Sequence, residues 1–87
     1  MAYRVEVDRE PARLLRSNRL PGDARIRLAQ AIKEMGEDPK AGDAKHLKGE
    51  YYCLWRRRIG EYRIIYAIIE SEELVRVVEI CHRSRCY

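Results

Sequence analysis

The chain has 87 residues, which is enough for one small domain and too short for two. A hydrophobic fraction of 46% favours a folded core over disorder, and no apolar run is long enough to span a membrane. The formal net charge is +4, and residues 45–63 alone hold six Lys/Arg against two Asp/Glu. The length thus predicts a single domain, residues 1–87, and the local charge excess predicts one basic surface on it for a polyanionic partner.

The predicted elements follow from the spacing of apolar residues and from the turn residues between them. Residues 3–7 alternate as a half-buried strand, and Pro11 is acceptable only in a first helical turn, which fixes a helix start near Asp8 or Arg9. A second helix is predicted over 23–35, with Ile26, Ala29, Ile32 and Met35 facing the core and Leu28 alongside. Residues 40–49 are interpreted as a polar connection. Strands are then predicted at 51–58, 62–69 and 74–81.

This order, strand, helix, helix and three strands, predicts an α+β fold. Two N-terminal helices would pack on one face of a four-stranded, mainly antiparallel sheet. Residues 62–69 are apolar on both faces except at Arg63, as expected for a central strand. The sequence does not determine which strand pairs with residues 3–7.

The hairpin formed by residues 51–69 contains the only Trp and a cluster of arginines around a Gly turn. Alternation places Trp55 and Ile59 on one face, and Arg56 and Arg58 on the other. The second face is interpreted as a guanidinium surface for an anion. Two plainer interpretations remain: a solvated charged strand, and a surface ion pair of Arg63 with Glu61 or Glu79.

The three cysteines, Cys53, Cys81 and Cys86, are odd in number, and the N-terminus does not look like an export signal. They are interpreted as reduced, mostly buried thiols in a cytoplasmic protein. The spacing of Cys81, His82 and Cys86 does not match a zinc site, so no metal and no cofactor is predicted.

The sequence contains no paired acids, phosphate loop or Ser-His-Asp pattern, but many arginines and a C-terminal Tyr. Such a set suits RNA cleavage by the ribose 2′-hydroxyl, which needs no protein nucleophile. The protein must align the reacting atoms, neutralise charge on the phosphorane and move a proton. Arginine bonds two phosphate oxygens at once, and a Tyr among arginines has a lowered phenol pKa that suits proton transfer.

Three segments carry a resemblance to a known family. They are Lys45-His46-Leu47-Lys48-Gly49, the run from Trp55 to Tyr66 (WRRRIGEYRIIY), and His82-Arg83-Ser84-Arg85-Cys86-Tyr87. Together they resemble the RelE branch of the RelE/ParE toxins of type II toxin–antitoxin systems. The resemblance implies a ribosome-dependent endoribonuclease, an mRNA interferase, that cuts mRNA in the A site. It also implies a RelB-like antitoxin partner, contact with operator DNA only through that antitoxin, and no membrane partner.

Site residues also follow from the resemblance. Arg56 and Arg63 match residues that bind phosphate, Arg83 matches the arginine that stabilises the transition state, and Tyr87 matches the terminal Tyr that stacks on a base or transfers a proton. Contacts to RNA or the ribosome are expected from Lys45, Lys48, Arg58, His82 and Arg85.

Two positions depart from the family pattern. Leu54 stands where a strand lysine is usual, which leaves the general base unassigned. Arg57 stands at a usually apolar position on the Trp55 face, where either its head reaches water or the strand carries a bulge.

Two alternatives to the nuclease remain. The first is a ParE-like toxin that inhibits gyrase and has no nuclease activity. The second is a non-catalytic toxin homologue that serves only as a corepressor bound to an antitoxin.

Overall fold

The computed structural model describes residues 2–48 and 53–82. Within these ranges the chain forms two helices, five strands and one 3-10 turn at Glu70–Glu72. No helix in this part of the chain is long and apolar enough to cross a membrane. In chain order the elements are β1 (Arg4–Val7), α1 (Arg9–Arg16), α2 (Gly22–Glu37), β2 (Ala44–His46), β3 (Leu54–Ile59), β4 (Tyr62–Ile69) and β5 (Leu74–His82).

The five strands form one sheet in the order β1-β5-β4-β3-β2, so the apolar strand β4 is central, as predicted. The β2–β3, β3–β4 and β4–β5 pairs are antiparallel. β1 instead pairs in parallel with β5, which settles the partner that the sequence left open. The pairing of β4 with β5 shifts register between Ile65 and Tyr66, so that Val78 has no opposite residue.

Both helices pack on one face of the sheet, which we call the covered face. Leu28, Ala31, Ile32 and Met35 of α2 are buried there with strand residues in a single core. The strand side of that core consists of Ile64, Tyr66, Val75, Val77 and Ile80. The other face, which we call the open face, carries no helix in the described part of the chain.

The α+β class and the two helices on one face are therefore confirmed, whereas the count of four strands is wrong. The fifth strand, β2, lies inside the predicted polar connection. It has only three residues, Ala44, Lys45 and His46, and stands at the sheet edge, where a strand needs no apolar alternation. A period of two cannot be recognised in so short a polar segment.

The predicted core face of α2 is also partly wrong. Ile32 and Met35 are buried, but Ile26 is 67% exposed and Ala29 is exposed. Ile32 and Met35 belong to two overlapping apolar stripes on α2. One stripe also contains Leu28, and the other also contains Ile26. The sheet selects the first, because only one stripe of a helix can face it.

The prediction of buried, reduced cysteines is wrong at two positions. Cys53 is free but exposed, and Cys81 is buried but disulfide-bonded. An odd number of cysteines therefore did not establish that every thiol is reduced.

Candidate functional site: a basic cavity on the open face

Successive side chains of β3 point to opposite faces of the sheet, and this alternation positions the arginines of the site. Arg57 points to the covered face and is buried, whereas Arg56 and Arg58 point to the open face. Arg63 of β4 lies directly opposite Arg58, and Arg56 lies directly opposite Ile65. Arg56 and Arg63 are therefore diagonal neighbours on the same face, about 7–8 Å apart in regular sheet geometry.

In two cross-strand pairs on this face, both residues are cations. Lys45 of β2 stands opposite Arg56, and Arg58 stands opposite Arg63. Like charges directly opposite each other destabilise a sheet, so neither pair contributes to folding. A bound anion would reduce this repulsion.

The cations surround a cavity of about 350 Å³. Ile65, which is only 2% exposed, belongs to its lining. An apolar wall beside cationic side chains lowers the local dielectric and so strengthens their attraction for an anion. The lining residues are Lys45, His46, Leu47, Lys48, Arg56, Arg63 and Ile65.

Two guanidinium groups of the cavity keep unused hydrogen-bond donors. Nη1 of Arg56 and Nε of Arg63 are shielded from solvent and donate to no acceptor in the described part of the chain. A shielded donor without a partner costs free energy, of the order of 1–3 kcal/mol. Neither Glu61 nor Glu79 forms an ion pair with Arg63, so the surface ion pair considered above is not formed.

On the covered face, Arg57 links β3 to helix α2. Its Nη2 donates to Glu34 Oε1 of α2 at 2.6 Å, and its Nη1 donates to the carbonyl of Ala31 at 3.3 Å. Both earlier interpretations of Arg57 are therefore wrong: its head is buried and ion-paired, and β3 has no bulge at this position. Helix α2 supplies a carboxylate at the right depth, which sequence spacing does not reveal.

The loop from α2 to β2 packs against the same guanidinium group. Gly42 has φ +73, and a Cβ there would lie 2.7 Å from Nε of Arg57. This position therefore needs glycine for both its backbone conformation and its space. Because the loop leads into β2, Arg57 also helps to position Lys45 and Lys48.

Tyr66 holds the other end of this loop. Its hydroxyl donates to the carbonyl of Pro39 at 2.7 Å, and burial raises the pKa of Tyr66 to about 12 despite the opposing effect of Arg57. Trp55 packs against the core, as predicted, and stacks on His46 of β2 with ring centroids 4.9 Å apart. Trp55 thus packs against β2 on the covered face, and Tyr66 anchors the loop that leads into this strand.

The structure brings together four predicted site residues, Arg56, Arg63, Lys45 and Lys48, and places Arg58 on the same face. It places His82 elsewhere. His82 is opposite Tyr62 on the covered face, with an edge-to-face ring contact at 5.4 Å and Glu61 at 3.8 Å. The predicted residues Arg83, Arg85 and Tyr87 lie outside the described residues.

Sequence reasoning did not identify three lining residues, namely His46, Leu47 and Ile65. The pairing of β2 with β3 would have indicated His46 and Leu47, but β2 itself was not predicted. Ile65 lies two residues after Arg63 on β4, so alternation along this predicted strand could have indicated it. Glu79 stands opposite Ile65, but it lines a different cavity, between α1 and β5.

Comparisons with known proteins show the family of the chain. A family model described as ParE toxin of type II toxin-antitoxin system, parDE, matches residues 4–87. A search of curated proteins finds no match.

Three solved structures illustrate the structural similarity. The archaeal RelE of a RelE–RelB complex from Pyrococcus horikoshii OT3 has a TM-score of 0.82 at 25% identity, covering 99% of this chain and 100% of that one. The toxin–antitoxin complex RelBE2 of Mycobacterium tuberculosis gives 0.82 at 23% identity, with 95% and 100% covered. The isolated E. coli RelE toxin gives 0.77 at 23% identity, with 98% and 88% covered.

The resemblance drawn from the sequence is therefore confirmed at the level of the superfamily, and the solved neighbours are RelE toxins. The chain belongs to the ParE toxin family of type II toxin–antitoxin systems, within the RelE/ParE superfamily.

Proposed function

We propose that the protein is a ribosome-dependent endoribonuclease that cuts mRNA in the A site and thereby inhibits translation. The observation that carries the proposal is a pair of shielded guanidinium donors in one cationic cavity, Arg56 Nη1 and Arg63 Nε, which have no acceptor among the described residues. Donors already in place for an oxyanion need no reorganisation when charge develops, which is how such groups lower a barrier.

The reaction is attack of the ribose 2′-oxygen on the adjacent phosphorus. The P–O5′ bond breaks, leaving a 2′,3′-cyclic phosphate and a 5′-hydroxyl, and no metal ion is required. Arg56 and Arg63 would bind the scissile phosphate and neutralise charge on the phosphorane. Arg83 is proposed to stabilise the same transition state, and Tyr87 to transfer a proton or stack on a base.

The remaining cations would hold the RNA backbone beside the scissile phosphate. Lys45 and Lys48 line the cavity, and Arg58 extends it along β3. Arg85 and His82 are proposed to contact RNA or the ribosome as well, and His82 would have to do so from the covered face.

The proposed setting is the cytoplasm, with a RelB-like antitoxin as partner. Several similar solved structures are complexes of a RelE toxin with RelB, which supports this choice. An antitoxin that covers the open face would satisfy the cations there, and operator DNA would be reached only through it.

The test is controlled expression without antitoxin, followed by mapping of mRNA 5′ ends. New ends inside codons of translated messages support the nuclease, and they should disappear with Arg83→Ala or with Tyr87→Phe while the domain stays folded. Continued translation with no new ends contradicts it. If the non-toxic protein also binds an antitoxin tightly, the corepressor alternative gains.

A second candidate function is inhibition of gyrase, and the family model named for ParE toxins favours it. Supercoiling assays with purified gyrase separate the two activities. Inhibition of supercoiling with intact mRNA would support the second candidate and contradict the first.

A further inference from the structure

A second basic surface lies on the outer face of α1. Arg9, Arg13 and Arg16 are exposed there, at spacings of four and three residues. At 3.6 residues per turn, these spacings place the three side chains within an arc of about 60°. Leu14 and Leu15 pack into the core from the opposite side of the helix. We call these three arginines the α1 stripe.

Residues 1–44 hold nine Lys/Arg against eight Asp/Glu, so the charge of this region does not appear in the total for the first half of the chain. Residues 9–27 contain six arginines and two acids, Glu10 and Asp23, an excess as large as that of residues 45–63. The compensating acids of the first half lie elsewhere and several are engaged: Asp8 pairs with Arg76, and Glu34 with Arg57. No ion pair of the α1 stripe occurs in the described part of the chain.

The stripe brings three like charges together on one side of the helix. Like charges at spacings of three and four residues repel each other, and Arg9 in the first turn opposes the helix dipole, whereas Arg13 and Arg16 in the last turn favour it. A bound polyanion would relieve the mutual repulsion of the three arginines.

The features of the stripe select the kind of anion. It is convex, it contains no aromatic side chain for stacking, and it consists only of arginine, which binds phosphate with a planar fork. Proteins that hold single strands combine a groove with stacking aromatics, whereas double-stranded RNA is recognised by its shape and backbone. The stripe also lies on the helix side of the sheet, away from the cavity, so one short strand cannot occupy both.

We propose that the α1 stripe binds the phosphate backbone of folded, double-helical RNA, independently of the open face. This binding goes beyond the cleavage proposed above and does not require it. A large folded RNA can contact the stripe while a separate strand occupies the cavity.

The test measures the affinity of the purified full chain for a 20-base-pair RNA hairpin over a series of salt concentrations. The variant R9Q/R13Q/R16Q is compared with R4Q/K33Q/K40Q, which removes the same charge from exposed cations on other elements. We expect the stripe variant to bind at least about tenfold more weakly and its salt slope to fall by about 2, with little change in the control. Thermal unfolding of both variants shows that they are folded.

Three results would overturn the proposal. Equal losses in both triple variants mean that only net charge matters, and unchanged affinity in the stripe variant means that α1 does not bind RNA. Polyglutamate serves as a second probe. If the stripe variant loses binding to polyglutamate but still binds the hairpin, the stripe binds an acidic protein and not RNA. Because the readout is duplex binding, it stands apart from the mapping of mRNA ends, and either proposal can fail while the other holds.

Discussion

Neighbouring arginines of the sheet have different partners on its two faces. On the covered face, Arg57 is buried, ion-paired to Glu34 and hydrogen-bonded to Ala31, although its Nε has no acceptor among the described residues. On the open face, Arg56 and Arg63 also have shielded donors without an acceptor in that part of the chain, and they stand opposite other cations instead of a carboxylate. A cation paired with a carboxylate contributes to the fold, whereas a cation that faces other cations costs stability and is explained by a ligand.

The largest effect is expected when the two open-face arginines are replaced by neutral residues. We expect Arg56→Gln with Arg63→Gln to lower mRNA cleavage in a translating extract by at least about 100-fold, because both donors to the phosphorane are lost. The midpoint of thermal unfolding should stay equal or rise. Arg4→Gln, an exposed cation on β1, is the control. Unfolding of the double variant would show that the open-face arginines are structural.

The covered face should respond in stability. We expect Glu34→Ala to lower the free energy of unfolding by about 2 kcal/mol, because Arg57 loses its charged acceptor while it remains buried. Glu37→Ala on the same helix, where the residue is exposed, should change it by less than about 0.5 kcal/mol. Urea denaturation measures both. Equal effects would mean that the Arg57–Glu34 pair adds nothing to the fold.

The loop behind the cavity gives a pH-dependent test. Burial raises the folded-state pKa of Tyr66 to about 12, above the ordinary value of 10.0. The contribution of neutral Tyr66 to the free energy of unfolding is therefore fully present below pH 10 and is lost as the pH rises through 12, by about 2.7 kcal/mol in total for two pKa units.

Tyr66→Phe removes this dependence. It should cost about 1 kcal/mol at pH 8, because the carbonyl of Pro39 loses its donor, yet the variant should lose less stability than the parent between pH 10 and pH 11.5. Denaturant melts at the two pH values test this. Identical alkaline profiles would exclude Tyr66 as the titrating group.

The smallest effect concerns repulsion on the open face. Arg58 faces Arg63 directly, so Arg58→Gln should raise the free energy of unfolding by about 0.2–1 kcal/mol. The gain should shrink at high salt, because screening already weakens the repulsion in the parent. A loss of stability would mean that the aliphatic part of Arg58 contributes to packing.

Local patterns determined much of this protein. Alternation in β3 divided Arg56 and Arg58 from Trp55, the Gly turn joined β3 to β4, and Pro11 fixed the start of α1. Helix and strand periods are local properties of the backbone, so a single sequence contains them. The resemblance to the RelE/ParE family, and not the backbone period, is the reason that Arg56, Arg63, Lys45 and Lys48 were predicted as site residues.

Only the tertiary structure decided the rest. It paired β1 in parallel with β5, formed β2 from three polar residues, buried Arg57 against Glu34, and turned Ile26 to solvent. Each outcome depends on which surfaces meet across long separations in the chain, and burial or pairing there outweighs local preference. Sequence alone therefore identified the cations, and the packing of helices against one face of the sheet determined which of them remain available to bind an anion.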